Sequence, residues 1–326
     1  MSNNAHRAFT AFGSFVLLLL AAATAHATDR ALLVGVGEYP LLADKRLEGP
    51  ANDLRLMTGM LTRMGWRPEQ IKVLSDAGGA AHWPTRDHIM AGLDELALQA
   101  KNGDWVVVYF SGHGSQVPQS TKHKARWREP DGLDEVFLPR DTSAWDPAKR
   151  IVVGAITDDE FSAALNRITA KGAQVWAIFD TCHAGDMLRG VQATQSNEPP
   201  IWRYISPQEL KVPAEALAQP WRTPYVARTT TQRWVGFLAS QADEGAAEES
   251  LPDPDQPTRK QRFGVFTHLL HQSTVDWRGS FSELAARLKR GYQERPFPTP
   301  DFQGRLSAVP RFVTNTPTSL SRSAKP

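Results

Sequence analysis

The stretch WVVVYFSGHG, residues 105–114, decides the fold. From Trp105 to Phe110 the run is apolar throughout, which suits a strand in a parallel sheet covered on both faces. It stops at Ser111-Gly-His-Gly, a polar segment whose glycines let the chain turn and let another group approach closely. Val175 to Phe179 repeats the pattern and stops at Asp180-Thr-Cys-His-Ala-Gly. Sites in open parallel sheets form at the carboxyl ends of strands. If these two strands are neighbours, His113 and Cys182 face one crevice.

The elements around them alternate between strand and helix, which argues an α/β fold. Ala31 to Gly37 reads as a buried strand running into a loop. Asn52 or Asp53 is expected to cap a helix carrying Leu54, Met57, Leu61 and Met64, with Gly65 ending it. Ile71 to Leu74 suits a strand. Thr85 caps a helix with Ile89, Leu93, Leu96 and Ala100 on one face. Thr157-Asp-Asp-Glu160 is a capping box before Phe161, Leu165 and Ile168. Trp234 to Leu238 is a further strand. Gly264 to Leu270 and Phe281 to Leu288 read as helices, the second capped by Ser280. The rhythm breaks between Val191 and Pro224, which hold six prolines and no clean periodicity. Pro252 to Lys260 reads as a polar, proline-rich loop. The tail after Phe312 is rich in Ser, Thr and Pro and reads as disordered.

Residues 1–27 carry Arg7, an apolar run from Phe12 to Ala23 and then Ala25-His26-Ala27, which fits a cleavage site. This reads as a signal peptide, and the apolar core is short for a spanning helix. The expected location is secreted or periplasmic, with no stable membrane insertion after cleavage. The formal net charge of +2 gives no reason to expect nucleic acid or acidic lipid as a partner. Cys182 is the only cysteine, so no internal disulfide can form.

A lone cysteine is often a small core residue. Its pairing with His113 at the end of a second buried strand points instead to a nucleophile and its base. A nearby imidazolium stabilises a thiolate. The backbone N–H groups of Gly114 and Cys182 are candidate oxyanion donors. His183 is read as support, and no third residue that orients His113 is evident.

Tyr109-Phe-Ser-Gly-His-Gly-Ser-Gln116 and Asp180-Thr-Cys-His-Ala-Gly185 resemble the two catalytic blocks of metacaspases, within the caspase-like cysteine peptidases of family C14. Leu33-Val-Gly-Val-Gly, Leu47-Glu-Gly-Pro-Ala-Asn-Asp53 and Asp131-Gly-Leu-Asp-Glu-Val-Phe-Leu-Pro139 resemble further segments of that family, in the same order. The resemblance implies a three-layer caspase-like sandwich around a mainly parallel, six-stranded sheet. It divides the chain into a peptidase domain, 28–312, and a tail, 313–326. Within the domain it implies a large-subunit-like part, 28–190, a linker-like segment, 191–224, and a small-subunit-like part, 225–312. It makes His113 the base and Cys182 the nucleophile, with Asp53, Ser111 and Asp180 lining a pocket for Arg or Lys.

The resemblance also implies calcium as an activator, with Asp158 and Asp159 at two acidic positions, although no cofactor is needed for the chemistry. Arg189 stands where a further carboxylate is expected, and Pro50 where metacaspases commonly place a cysteine. Asp131, Asp134, Glu135 and Asp141 are candidate replacements for the missing acid. The basic run Lys122 to Arg128 reads as a solvated loop or a regulator of access. Arg189, Arg203, Lys211 and Arg222 read as sites for self-cleavage in exposed segments. Trp202, Trp221 and Trp234 read as packing residues or subsite walls, and Asp243 and Glu244 as borders of the cleft.

The expected function is a cysteine endopeptidase that acts, as a monomer, on proteins or peptides with Arg or Lys before the scissile bond. An amidase or transpeptidase would keep the dyad and change the bond cleaved. A non-catalytic caspase-like binding module is the reading from another class.

Overall fold

The computed structural model describes residues 28–119, 132–182, 199–217, 233–241, 245–293 and 298–314. Residues 1–27 lie outside this set, as do 183–198, so the signal-peptide expectation, His183 and Arg189 all fall outside the described residues.

In chain order the elements are β1 (Arg30–Gly35), α1 (Gly49–Arg63), β2 (Ile71–Ser75), α2 (Arg86–Gln99), β3 (Trp105–Ser111), β4 (Gly114–Pro118) and β5 (Leu133–Phe137). Next come β6 (Trp145–Asp146), β7 (Ile151–Val152), β8 (Ile156–Thr157), α3 (Asp158–Thr169), β9 (Gln174–Asp180), β10 (Ile201–Trp202) and α4 (Ala214–Leu217). The chain closes with β11 (Trp234–Leu238), β12 (Ala247–Asp253), β13 (Gln256–Gly264), α5 (Val265–Ser273), α6 (Phe281–Gly291), β14 (Asp301–Gly304) and α7 (Arg311–Thr314).

The apolar runs of the sequence become the middle of one six-stranded sheet, ordered β14-β11-β9-β3-β1-β2. The pairs β11–β9, β9–β3, β3–β1 and β1–β2 are parallel, and only β14 runs antiparallel to its neighbour. Alternate residues of each strand enter opposite layers, as the two-residue period of a strand requires. Val107, Tyr109, Trp176, Ile178 and Phe237 pack with Met57 and Leu61 of α1, Phe266 and Leu270 of α5, and Phe281 and Leu284 of α6. Val106, Val108, Phe110, Val175 and Ala177 pack with Ile89 and Leu93 of α2 and Phe161 and Leu165 of α3. The result is the expected three-layer α/β sandwich with a largely parallel six-stranded sheet.

Thr85, Thr157 and Ser280 accept hydrogen bonds from His88, Glu160 and Glu283 as helix caps, as their sequences predict. Helix α1 differs. It begins at Gly49 with Pro50 in its first turn, so Asn52 and Asp53 lie inside it and do not cap it. No side chain near Glu48 closes this end. The carboxylate of Glu248, on β12, accepts from the Glu48 and Gly49 N–H groups at 3.2 and 3.0 Å. A cap supplied from 200 residues away leaves no local signal.

Pro252 to Lys260 is also not a loop. It belongs to the β12–β13 hairpin, whose register shifts between Pro252 and Asp253. The outer part of β13 is exposed, so its polar residues carry no strand alternation. The linker-like segment contains β10, paired antiparallel to β12, and α4. At the tail boundary, Val313 is buried with Phe312 rather than free of the domain. Among the described residues no helix is long and apolar enough to cross a membrane.

Trp176 is wholly buried among Phe237, Phe281 and Trp277, with ring centroids 5.1–5.9 Å away. Its indole N–H has no hydrogen-bond partner among the described residues. Trp176→Ala is therefore expected to cost about 3–5 kcal/mol in chemical denaturation. Trp176→Phe should cost much less, because it keeps a ring there and removes an unsatisfied donor. Equal losses for the two variants would show that the core depends on the indole itself.

Candidate active site

Strands β3 and β9 are neighbours, with Ser111 opposite Asp180. Each chain then continues two residues past the sheet, one to His113 and the other to Cys182. A Cβ on Gly114 would lie 1.8 Å from the Cys182 carbonyl oxygen, so only glycine allows these two segments to touch.

His113 is held by backbone and ring contacts. Its N–H donates to the Tyr39 hydroxyl at 2.8 Å, and the two rings lie 5.0 Å apart. Its Nε2 is 3.0 Å from the Lys45 carbonyl oxygen. A carbonyl only accepts, so this contact assigns the ring proton to Nε2 and leaves Nδ1 with a lone pair. Nδ1 is buried and has no hydrogen-bond partner among the described residues. The group that orients His113 is thus the Lys45 carbonyl. Every residue type carries a carbonyl, so the sequence holds no sign of it.

Cys182 is wholly buried, and its thiol donates to the Ala246 carbonyl at 3.0 Å rather than to His113. Burial raises the thiol above its ordinary pKa, and burial pushes His113 down to about 3. Both groups are neutral near pH 7 in this arrangement.

The segment after β10 lies against both groups. Ile201 and Trp202 pair antiparallel with Glu248 and Ala247, adding a strand to the edge of β12. Arg203 then donates its N–H to the Ala246 carbonyl and accepts at its own carbonyl from the Gly114 N–H, each at 2.9 Å. Its backbone also touches both candidate catalytic groups, favouring the thiolate of Cys182 and the protonated form of His113. The expectation that Arg203 lies in an exposed segment is overturned: the residue is wholly buried.

Its guanidinium lies among residues of α1, β3, β9 and β12. Nη2 is 2.6 Å from Asp53 and 3.5 Å from Glu248. Nη1 is 3.0 Å from Asp180 Oδ1, 3.0 Å from Ser111 Oγ and 3.1 Å from the Asp180 carbonyl. All three carboxylates are wholly buried. Asp53 also accepts from Ser111 Oγ and from the Gly264 N–H, and Asp180 accepts from the Thr267 N–H and hydroxyl. Sequence reasoning brings out Asp53, Ser111 and Asp180, and the fold brings them together. It misses Glu248, which sits among alanines and acids with no motif around it.

Asp158 and Asp159 occupy the first turn of α3, inside the capping box of Thr157 and Glu160. Among the described residues no three His, Cys, Asp or Glu side chains group to hold a metal ion. Gln119 donates to Asp134, and Asp141 accepts from the Arg86 N–H. Lys122 to Arg128, Asp131, Trp221, Arg222, Asp243 and Glu244 lie outside the described residues.

Residues 29–190 match the family model described as the metacaspase, peptidase C14 domain. The chain belongs to the metacaspase/caspase-like C14 peptidase superfamily. It is 32% identical to Metacaspase-7 of Arabidopsis thaliana over 160 residues, 49% of this chain and 35% of that one. It is 33% identical to Metacaspase-2 of the same plant, over 50% of this chain and 36% of that one. The chain thus spans about a third of these relatives. Among solved structures, protein GSU0716 from Geobacter sulfurreducens superposes with a TM-score of 0.59 at 20% identity, covering 89% of this chain and 98% of that one. Caspase-1 from Spodoptera frugiperda gives 0.52 at 9% identity, covering 87% and 88%. These two likenesses bear on the superfamily fold alone.

Asp53 titrates at about 7, raised first by burial, pulled down by Arg203 and raised again by Asp180. Between the ordinary 3.8 and about 7, the folded chain keeps a proton that the unfolded chain has released. Stability therefore falls as pH rises through that window. Losing the guanidinium raises Asp53 further and extends the fall. In a Cys182→Ala background, Arg203→Ala is expected to lower the melting temperature more at pH 8 than at pH 5. An equal deficit at both values would mean that Asp53 does not feel the guanidinium.

Proposed function

We propose that the chain is a cysteine endopeptidase that cleaves after basic residues, with Cys182 as nucleophile, His113 as base and its own Arg203 in the substrate position. The supporting observation is the seat of Arg203. Its side chain lies among Asp53, Asp180 and Glu248, and its carbonyl accepts from Gly114. An extended segment added to a strand edge, with one side chain in a pocket, is a recurring way of binding a peptide.

In this reading Cys182 Sγ adds to the Arg203 carbonyl carbon and gives its proton to His113 Nδ1. The Gly114 and Cys182 N–H groups steady the charge on the carbonyl oxygen. Collapse breaks the bond to the Tyr204 nitrogen, which takes the proton from His113. Water then hydrolyses the thioester and frees the Arg203 carboxylate and the thiol. Substrates with Arg or Lys in the same position follow the same steps. Export is proposed from the leader-like residues 1–27, and calcium as an activator outside these steps.

The test is incubation of the full chain and its Cys182→Ala form, followed by intact-mass analysis and peptide assays with Arg, Lys, Asp or Ala before the scissile bond. Each runs with calcium and with chelator. A new N-terminus at Tyr204 and hydrolysis after Arg or Lys are expected, both absent in the variant. Hydrolysis after Asp, or turnover that survives in Cys182→Ala, would overturn the reading.

A second expectation concerns the thiol. With Arg203 seated, Cys182 should react with iodoacetamide at pH 7 more slowly than a small free thiol, because only the thiolate is nucleophilic. Arg203→Ala is expected to speed labelling by at least about tenfold as water reaches the site. An unchanged rate would mean that the segment after β10 does not shield the thiol.

A further inference from the structure

We propose that Asp76, at the carboxyl end of β2, is a positioning residue for His113. It acts through the two segments that hold His113, not by a bond of its own to the ring. The inference rests on the peptidase reading and deepens it.

The placement starts in the sheet. Strand β2 pairs parallel with β1 up to Gly35 and Ser75, so Asp76 emerges beside the loop that follows β1. That loop carries the Tyr39 hydroxyl and the Lys45 carbonyl that meet His113. Its ends join at a neck, where the Leu47 N–H donates to the Gly37 carbonyl at 2.9 Å. A Cβ on Gly37 would stand 2.7 Å from the Leu47 carbonyl oxygen, so the neck closes over glycine. Asp76 Oδ2 accepts from the Gly37 and Glu38 N–H groups at 2.7 and 3.2 Å. One carboxylate oxygen thus pins the neck, and Lys45 lies just before Leu47 within it.

The other oxygen reaches the second support. Asp76 Oδ1 accepts from Arg140 Nη1 at 2.5 Å. Arg140 lies just past β5, and in the same segment the Leu138 N–H donates to the His113 carbonyl at 3.0 Å. Arg140 is itself held. Its guanidinium lies 4.5 Å from the Trp83 ring, and its N–H donates to the Pro84 carbonyl at 3.0 Å. The ring of His113 is therefore oriented from one segment and its carbonyl from another, and Asp76 fastens the two together.

A carboxylate suits this place because it only accepts and offers two oxygens. Its bonds to N–H groups and to a guanidinium are stronger than neutral ones. Without them the neck is loosened and the Lys45 carbonyl loses its fixed position. The His113 ring can then turn or carry its proton on the other nitrogen. A base must aim its lone pair at the proton it takes, and a small misplacement costs up to about a hundredfold in rate.

The test uses the full chain with its Asp76→Ala and Asp76→Asn forms and a peptide with Arg before the scissile bond. Turnover is expressed per active site, counted by titration with an alkylating peptide, so unfolded chain does not enter. Asp76→Ala is expected to lower kcat by at least about tenfold and leave KM within about twofold. Asp76→Asn keeps an oxygen for the Gly37 and Glu38 N–H groups and should recover most of that loss. A purely structural role would lower the number of titratable sites and leave kcat per site unchanged, and that outcome overturns the inference. Equal losses in the two variants overturn it as well.

A second measurement needs no turnover. In the Cys182→Ala chain with nitrogen-labelled histidine, the His113 ring signals, assigned with His113→Gln, are expected to report a proton on Nε2. Adding Asp76→Ala is expected to move both ring nitrogens toward the average of the two tautomers. Unchanged signals overturn the inference. If the parent hydrolyses no peptide while the ring signals move, the peptidase reading falls and the positioning of His113 by Asp76 stands.

Discussion

Three wholly buried carboxylates need a cation, and Arg203 supplies it. Asp53 comes from α1, Asp180 from the end of β9 and Glu248 from β12, so the ion cluster ties three parts of the chain to one guanidinium. Such a cluster is costly to desolvate and is weak evidence for stability by itself. Its consequence is geometric. A segment that carries the arginine must lie where the pocket opens, and the backbone of that segment then crosses between His113 and Cys182. Burial disfavours the charged forms of both groups and leaves them neutral.

The two helix ends above the pocket belong to this constraint. Neither α1 nor α5 has a side-chain cap of its own. Glu248 accepts from the first N–H groups of α1, while Asp53 and Asp180 accept from Gly264 and Thr267 at the start of α5. The same acids thus satisfy orphan donors at both helix ends and line the site. A substitution there also alters how two helices begin.

The segments that carry His113 and Cys182 are positioned differently. Strand pairing sets Ser111 against Asp180, and each strand needs only two more residues to present His113 and Cys182. This placement depends on the most buried part of the sheet. The orientation of His113 adds one backbone acceptor, Lys45, and one ring, Tyr39, both from the segment between β1 and α1. The site therefore joins the carboxyl ends of β1, β3 and β9.

The sequence by itself determined the layered sheet, because unbroken apolar runs such as Trp105 to Phe110 have no other way to hide both faces. It determined the caps at Thr85, Thr157 and Ser280, since a side chain three residues from its donor is a local matter. It also determined the candidates His113, Cys182, Asp53, Ser111 and Asp180, which stand at strand ends or in motifs. Only the tertiary structure decided the rest. Glu248, the Lys45 carbonyl and the seat of Arg203 act across up to 200 residues of chain. The start of α1 was misread for the same reason, since its cap comes from another strand. The hairpin of β12 and β13 escaped notice because its outer half faces water and carries no alternation. What is local leaves a pattern in neighbouring residues, and what is made by contact between distant segments does not.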